Sequence, residues 1–389
     1  MDVAFYIRSI GDDDCGGMYM NQQHGSIGIF LVYCIIILDV GLMNHVLVIP
    51  PLLQDAKRDA WLSGLGAIVP CLLWVCLLYY IMTRTKQQPL IPWLQQHYGS
   101  VVAWGFRLFF LVYVALISVL TLKETTTWTK VSYLPHTPTF VLTLSLVLLC
   151  LFAVHYGIRS IAISAGILLP FVVLFGDFVM SVNLPEKNYA LLFPVMEHGL
   201  APILKGSVYV GGGIAELMLI LLLQHKLKAK IRLWSLWLLA LFLIGLVMGP
   251  LTGAIAEFGP HVAAELRYPA FEEWRLVQIG KYISHVDFLS IYQWLAGAFI
   301  RISISIYILI ELLPIQNQRK RTAWILMLGF LLVVAAELPI SDMQYLQFLK
   351  HVYLPVSLTM VLFLSFFMSL LVLWAIRKGG AKDENRKLA

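Results

Sequence analysis

The stretch from Ser207 to Leu223 reads Ser-Val-Tyr-Val-Gly-Gly-Gly-Ile-Ala-Glu-Leu-Met-Leu-Ile-Leu-Leu-Leu, an apolar run holding three successive glycines and one carboxylate. It is apolar enough to enter a bilayer, yet Gly211, Gly212 and Gly213 together forfeit about 3 kcal/mol of helix propensity relative to alanine. Glu216 follows within a turn, and an ionisable group at such depth marks a functional or paired position. The combination predicts a membrane helix interrupted partway. Its freed N–H and C=O groups then face protein or a polar cavity, which in transporter-like folds is the ligand site. The competing explanation is that the glycines let a neighbouring helix pack closely.

Composition fixes the class. The 389 residues are 60% hydrophobic and 13% charged, with a mean hydropathy of +0.81, which no soluble domain of this size accommodates. The chain reads as an all-α integral membrane protein. At about 20 residues per crossing it makes roughly ten transmembrane helices with short connections. Residues 1–25 read as an N-terminal cytoplasmic tail, 26–376 as the transmembrane domain and 377–389 as a C-terminal cytoplasmic tail. Met1 to His24 lacks the basic and apolar regions of a signal peptide. The 28 Lys and Arg against 22 Asp and Glu reflect basic cytoplasmic loops, tightest at Lys226, Lys228, Lys230 and Arg232, and not a nucleic-acid surface. Five cysteines show no metal-ligand spacing, so neither a metal nor a disulfide framework is expected, and no cofactor motif is present. Gly211 to Gly213 lacks the Gly-Lys-Ser/Thr continuation of a phosphate loop. No nucleophile–base or carboxylate-pair arrangement marks an enzyme.

A second interrupted span lies near the start. The first span, about Ile27 to Leu53, has Leu38-Asp39-Val40-Gly41 at its middle and Pro50-Pro51 after it. Asp39 is roughly 18 Å along the helix, close to the bilayer centre. Interrupted spans one and six, five helices apart, are the layout of a five-plus-five inverted repeat with half-helix ends meeting at a midplane site. Such ends offer N–H groups to a carboxylate and C=O groups to an ammonium, which suits an amino acid. Tyr113 and Thr121 lie eight residues apart on one face of the third span. Asp39, Glu216 and Arg301 are costly in hydrocarbon unless paired or solvated. They are candidates for coupling, or for an internal ion pair of Arg301 with Asp39 or Glu216. Leu90 to Tyr98 reads as a short surface helix ahead of the third span, and Gly245-xxx-Gly249 as packing or a kink.

The polar exit Gln54-Asp55-Ala56-Lys57-Arg58-Asp59-Ala60-Trp61 resembles the corresponding region of spore germination receptor B subunits. So do the loop Asn188 to Glu197, Pro202 to Gly206 leading into the glycines, Leu266-Arg267-Tyr268-Pro269, and Trp294 to Ile300. The similarity runs from about Ser26 to Trp374, with His285 standing where a firmly basic residue is expected. It implies the fold of the amino acid/polyamine/organocation transporter superfamily. It also implies nutrient sensing in the spore inner membrane beside A and C subunits. The family's pocket on helices one, three, six and eight, carried onto this chain, falls at Gly41, Tyr113, Ile117, Thr121, Gly212, Ile214 and Gly297. A transporter coupled to H⁺ or Na⁺ through Asp39 or Glu216 is the alternative, since it needs the same pocket.

Overall fold

Backbone polar groups in hydrocarbon have to be satisfied by the protein itself, which leaves helices or closed barrels, and apolar runs of about 20 residues suit helices. The computed structural model describes residues 26–278, 285–315 and 317–387, and these are helical throughout apart from turns and one isolated bridge. The N-terminal tail expected at 1–25 lies outside the described residues. The helices are α1 (Ile29–Leu42), α2 (Ile49–Ala56), α3 (Ala60–Arg84), α4 (Leu90–Ser132), α5 (Thr139–His155), α6 (Ile158–Val182) and α7 (Leu200–Ile214). They continue with α8 (Ile220–Leu223), α9 (Leu233–Glu265), α10 (Pro269–Leu276), α11 (Phe288–Leu312), α12 (Gln318–Ala336), α13 (Asp342–Phe348) and α14 (Leu354–Lys387).

Seven helical runs among the described residues are long and apolar enough to cross a membrane, and α5 is a shorter apolar helix. The 56-residue run Ile29–Arg84 reverses at Lys57, whose φ is 47°. Two runs form the centre: Leu200–Lys226 and Phe288–Leu312 have 83% of their most apolar windows buried, against 22% for Ile158–Glu186. That difference puts α7 and α11 inside and α6 at the rim. The amphipathic segment from Leu90 is set off from the rest of α4 by Gly99, at φ 83° and ψ 177°, a conformation open to glycine at little cost. Helix α14 runs on to Lys387, so the segment expected as a tail continues the last helix.

The interrupted spans differ from expectation in kind. Gly41 lies inside α1, and Gly211, Gly212 and Gly213 inside α7, with no unwinding at any of them. The hydrogen-bond ladder changes pitch just beyond. Met43–Leu47 forms a π turn, closed by Val48 N–H donating to Met43 O at 3.0 Å, and Ala215–Leu219 forms a 3₁₀ segment. The glycines serve close approach. A Cβ on Gly212 would run into the backbone of Leu354 on α14, and one on Gly213 into the side chains of Asn44 and Val48. The glycines are thus wound, and what interrupts the two spans is the change of pitch at Met43–Leu47 and Ala215–Leu219, beyond the glycines at which the half-helix ends are expected from sequence. The two spans are also tied at one end, where Ile27 N–H donates to Lys226 O (2.8 Å) and Lys228 N–H to Ile27 O (3.0 Å).

Candidate functional site

The deepest polar residues predicted from sequence converge. Arg301 on α11 is fully buried and directs its guanidinium at three other elements. Its Nη2 donates to Glu216 Oε1 at 2.7 Å and its Nη1 to Glu216 Oε2, a bidentate grip on the 3₁₀ segment. Nη1 also donates to the carbonyl of Asp39 at 2.7 Å and lies 3.4 Å from Asp39 Oδ1. Nε donates to Thr121 Oγ1 at 2.7 Å, and that hydroxyl in turn donates to Ile117 O at 2.7 Å. Tyr353 completes the set from the π turn before α14, its hydroxyl donating to Glu216 Oε1 at 2.8 Å, with the Tyr113 ring parallel to its own. One guanidinium thus joins spans one, three and six, and the last span reaches it through Tyr353. With all three groups ionised, two carboxylates outnumber one cation, and Asp39 Oδ2 has no hydrogen-bond partner.

A cavity of about 360 Å³ lies one helical turn away. Gly297, four residues before Arg301 on α11, packs against Leu38 and Leu42 of α1 and faces this space. Gly41, His45, α6, α9 and α10 supply other walls. Gly245 and Gly249 on α9 line it too, and a Cβ on either meets nothing within 4 Å, so these glycines hold room open where sequence suggested packing or a kink. Helix α10 is fastened across the cavity by Trp274, which donates to Gln293 Oε1 at 2.9 Å while Gln293 Nε2 donates to Val172 O at 2.9 Å.

Of the ligand residues expected from sequence, Gly41 and Gly297 line this cavity. Gly211 and Ile214 line a second, apolar one of about 200 Å³ between α3, α7 and α14. Tyr113, Ile117 and Thr121 belong to the ion cluster, and Gly212 and Gly213 to helix contacts. Sequence reasoning missed Tyr353, which nothing distinguishes within an amphipathic connection. It also missed a second charged cluster in the wall of the larger cavity. There Lys187 Nζ, 2.8 Å from Glu273 Oε2 and 3.9 Å from Glu257 Oε2, is almost fully buried with both carboxylates. Burial pushes the Glu273 carboxyl up to about 8, against the opposing pull of Lys187. Gly253, four residues before Glu257, leaves the space that this pair fills.

The model of the family described as spore germination protein matches residues 28–345, which takes in α1 through the start of α13 and both clusters. The chain belongs to the spore germination protein family. Within it, the chain is 42% identical to spore germination protein XB of Bacillus anthracis over 348 residues, 90% of this chain and 98% of that protein. It is 22% identical to spore germination protein KB of Bacillus subtilis (strain 168) over 291 residues, 71% of this chain and 74% of that protein. It is therefore a multi-pass membrane protein of a family concerned with germination.

Proposed function

We propose that this protein is the nutrient-sensing membrane subunit of a spore germination receptor, seated in the spore inner membrane and passing its signal to A- and C-type partner subunits. The nutrient is a small, amino-acid-like molecule held in the larger cavity against Gly41 and Gly297. The fold reading behind this is ten crossings in a five-plus-five inverted repeat, residues 26–376, with spans one and six as the movable pair. The observation that carries the proposal is the single turn of α11 between Gly297 at the cavity and Arg301 at the junction of spans one, three and six. A ligand that presses α1 and α11 apart at Gly297 strains the Arg301 contacts. The π turn at Met43–Leu47 and the 3₁₀ segment at Ala215–Leu219 are where the ladders change pitch, and non-α turns of this kind recur at functional sites. Signalling then amounts to a differential affinity for two arrangements of these spans.

A second reading, proton- or sodium-coupled transport of an amino acid, is favoured by the unpartnered Asp39 Oδ2 in a cluster with one carboxylate in excess. Uptake of labelled amino acids by proteoliposomes separates the two: gradient-driven accumulation by this chain alone establishes the transporter. The sensor is tested with Gly249→Leu, whose side chain grows from a position with no atom within 4 Å into the cavity region. Spores carrying it are expected to lose nutrient response while keeping the chain in the membrane. An unchanged response overturns the site.

A further inference from the structure

The cavity wall carries a charged pair that the sensing mechanism above does not use. Lys187, from the connection after α6, and Glu273, on α10, both line the cavity, with their side chains 1% and 6% exposed. Lys187 Nζ has three donors and commits one to Glu273 Oε2 at 2.8 Å. Glu273 Oε1, buried at the same place, receives no hydrogen bond from a donor, and while the carboxyl is protonated its proton is shared with Glu257. Behind them Glu257 on α9 is 3% exposed, with its Oε2 3.9 Å from Lys187 Nζ. Val172, Phe271 and Trp274 give the cavity apolar wall, while Asp177, Ser290 and Gln293 line it as well. A buried lysine beside two carboxyl groups is retained at a cost that well-packed apolar side chains of similar volume would avoid. Here it is built in with care: Asn183 Nδ2 holds the Glu273 carbonyl at 2.7 Å, and Gly253 has no side chain where Glu273 and Lys187 sit.

We propose that Lys187 and Glu273 are the polar end of the nutrient site and select an α-amino-acid zwitterion, its ammonium against Glu273 Oε1 and its carboxylate against Lys187 Nζ. The inference rests on the sensor reading and adds to it the groups that read the two charges of the amino acid. Both halves of a zwitterion meet a complement there, and its side chain extends along the apolar wall toward Gly41 and Gly297. A sugar or nucleoside leaves the pair without charged partners. Because burial holds the Glu273 carboxyl up, arrival of an ammonium releases its proton. Response therefore strengthens as pH rises from 6 to 8. The charged groups facing Glu273 are Lys187 and Glu257, and the other ionisable side chains on the cavity are His45, Asp177 and Tyr268.

The test uses spores with the chain deleted, restored, or replaced by Lys187→Met with Glu273→Leu, a double variant that keeps apolar volume where the pair was. Each is challenged with the twenty amino acids, four nucleosides and common sugars, and membrane abundance is followed by immunoblot. The expected result is a chain-dependent response to one or more amino acids, with the half-maximal concentration raised at least tenfold in the double variant at normal abundance. Should that variant accumulate poorly, Gly253→Ala, which displaces the pair without removing a charge, carries the test, with the same direction expected. The single variant Glu273→Gln is expected to lose the rise in response between pH 6 and 8. An amino-acid response unchanged in these variants overturns the proposal. A chain-dependent response confined to nucleosides or sugars overturns it and the amino-acid-like ligand with it, while leaving nutrient sensing by this chain intact. No chain-dependent response to any nutrient sinks both.

Discussion

Two clusters in this protein have the same inventory, one cation and two carboxylates, and differ in what surrounds them. Around Arg301 the guanidinium is satisfied on all sides by Glu216, Asp39 and Thr121, drawn from three spans, and packed side chains close it in. Each cluster leaves one carboxylate oxygen over, Asp39 Oδ2 in the first and Glu273 Oε1 in the second, but around Lys187 the ammonium makes one short contact and the pair borders a cavity. Arginine's planar fork suits bidentate capture of a carboxylate, whereas lysine is a mobile point charge with donors to spare. The first arrangement fixes helices to one another; the second leaves groups for a guest. A third instance lies nearer the surface, where Arg267 bridges Glu124 at 2.7 Å and Asp342 at 2.9 Å, with the Asp342 side chain 45% exposed.

If burial and satisfaction decide what such a cluster does, the consequences of breaking each can be ranked. Arg301→Met leaves two buried carboxylates uncompensated and is expected to cost about 3–5 kcal/mol, seen as loss of folded protein from membranes. Adding Glu216→Leu to it is expected to recover part of that loss, as measured by the thermal midpoint in detergent. If the single Arg301 variant is as stable as the parent, the cluster does not hold the spans together. Next comes Gly212→Leu, which forces a side chain against the Leu354 backbone. Overpacking of this kind costs about 1–3 kcal/mol, and nutrient response is expected to vanish because α7 and α14 are wedged apart. A normal germination response would remove that contact from the signalling route.

At the Lys187 cluster the effect is set by pH. The Glu273 carboxyl rises from its usual 4.5 to about 8 on folding, so the folded state binds its proton more tightly than the unfolded one. The stability this confers is complete below about pH 4.5, declines as pH climbs, and is gone once pH passes about 8. Glu273→Gln cannot titrate, so the difference in thermal midpoint between parent and variant should change across that window and level off above it. A constant difference from pH 4.5 to 8 means that Glu273 is not held protonated. The smallest effect belongs to Asp342→Asn, which removes the exposed half of the Arg267 bridge and is expected to cost under about 1 kcal/mol. A drop in thermal midpoint as large as that of the Arg301 variant would break the ranking.

Much of the architecture was legible because lipid imposes few solutions on an apolar chain. The all-α class followed from composition, and the surface segment ahead of the third span from the amphipathic run Leu90 to Tyr98, which the structure sets off at Gly99 with φ 83°. Asp39, Glu216 and Arg301 stood out because charge at membrane depth has to be answered, and the structure brings the three together. Their answering groups were partly hidden. Thr121 sits on a face with Tyr113 that a helical period reveals, whereas Tyr353 and Lys187 lie in connections where polar residues carry no positional signal. The glycines misled in one respect. A missing side chain serves a broken helix and a close helix contact equally, and the run at Gly211 to Gly213 turned out to be wound.

The chain alone settled that it lives in a membrane as helices and which few charges would lie deep, since hydrophobic length and the cost of an unpaired ion are local properties. Tertiary structure decided the rest: whether glycines open a helix or admit a neighbour, which carboxylates share a cation, and where space remains between spans. Those outcomes depend on what lies across the interface from each residue, and residues such as Gly253, Lys187 and Glu273 meet only after the chain has returned on itself.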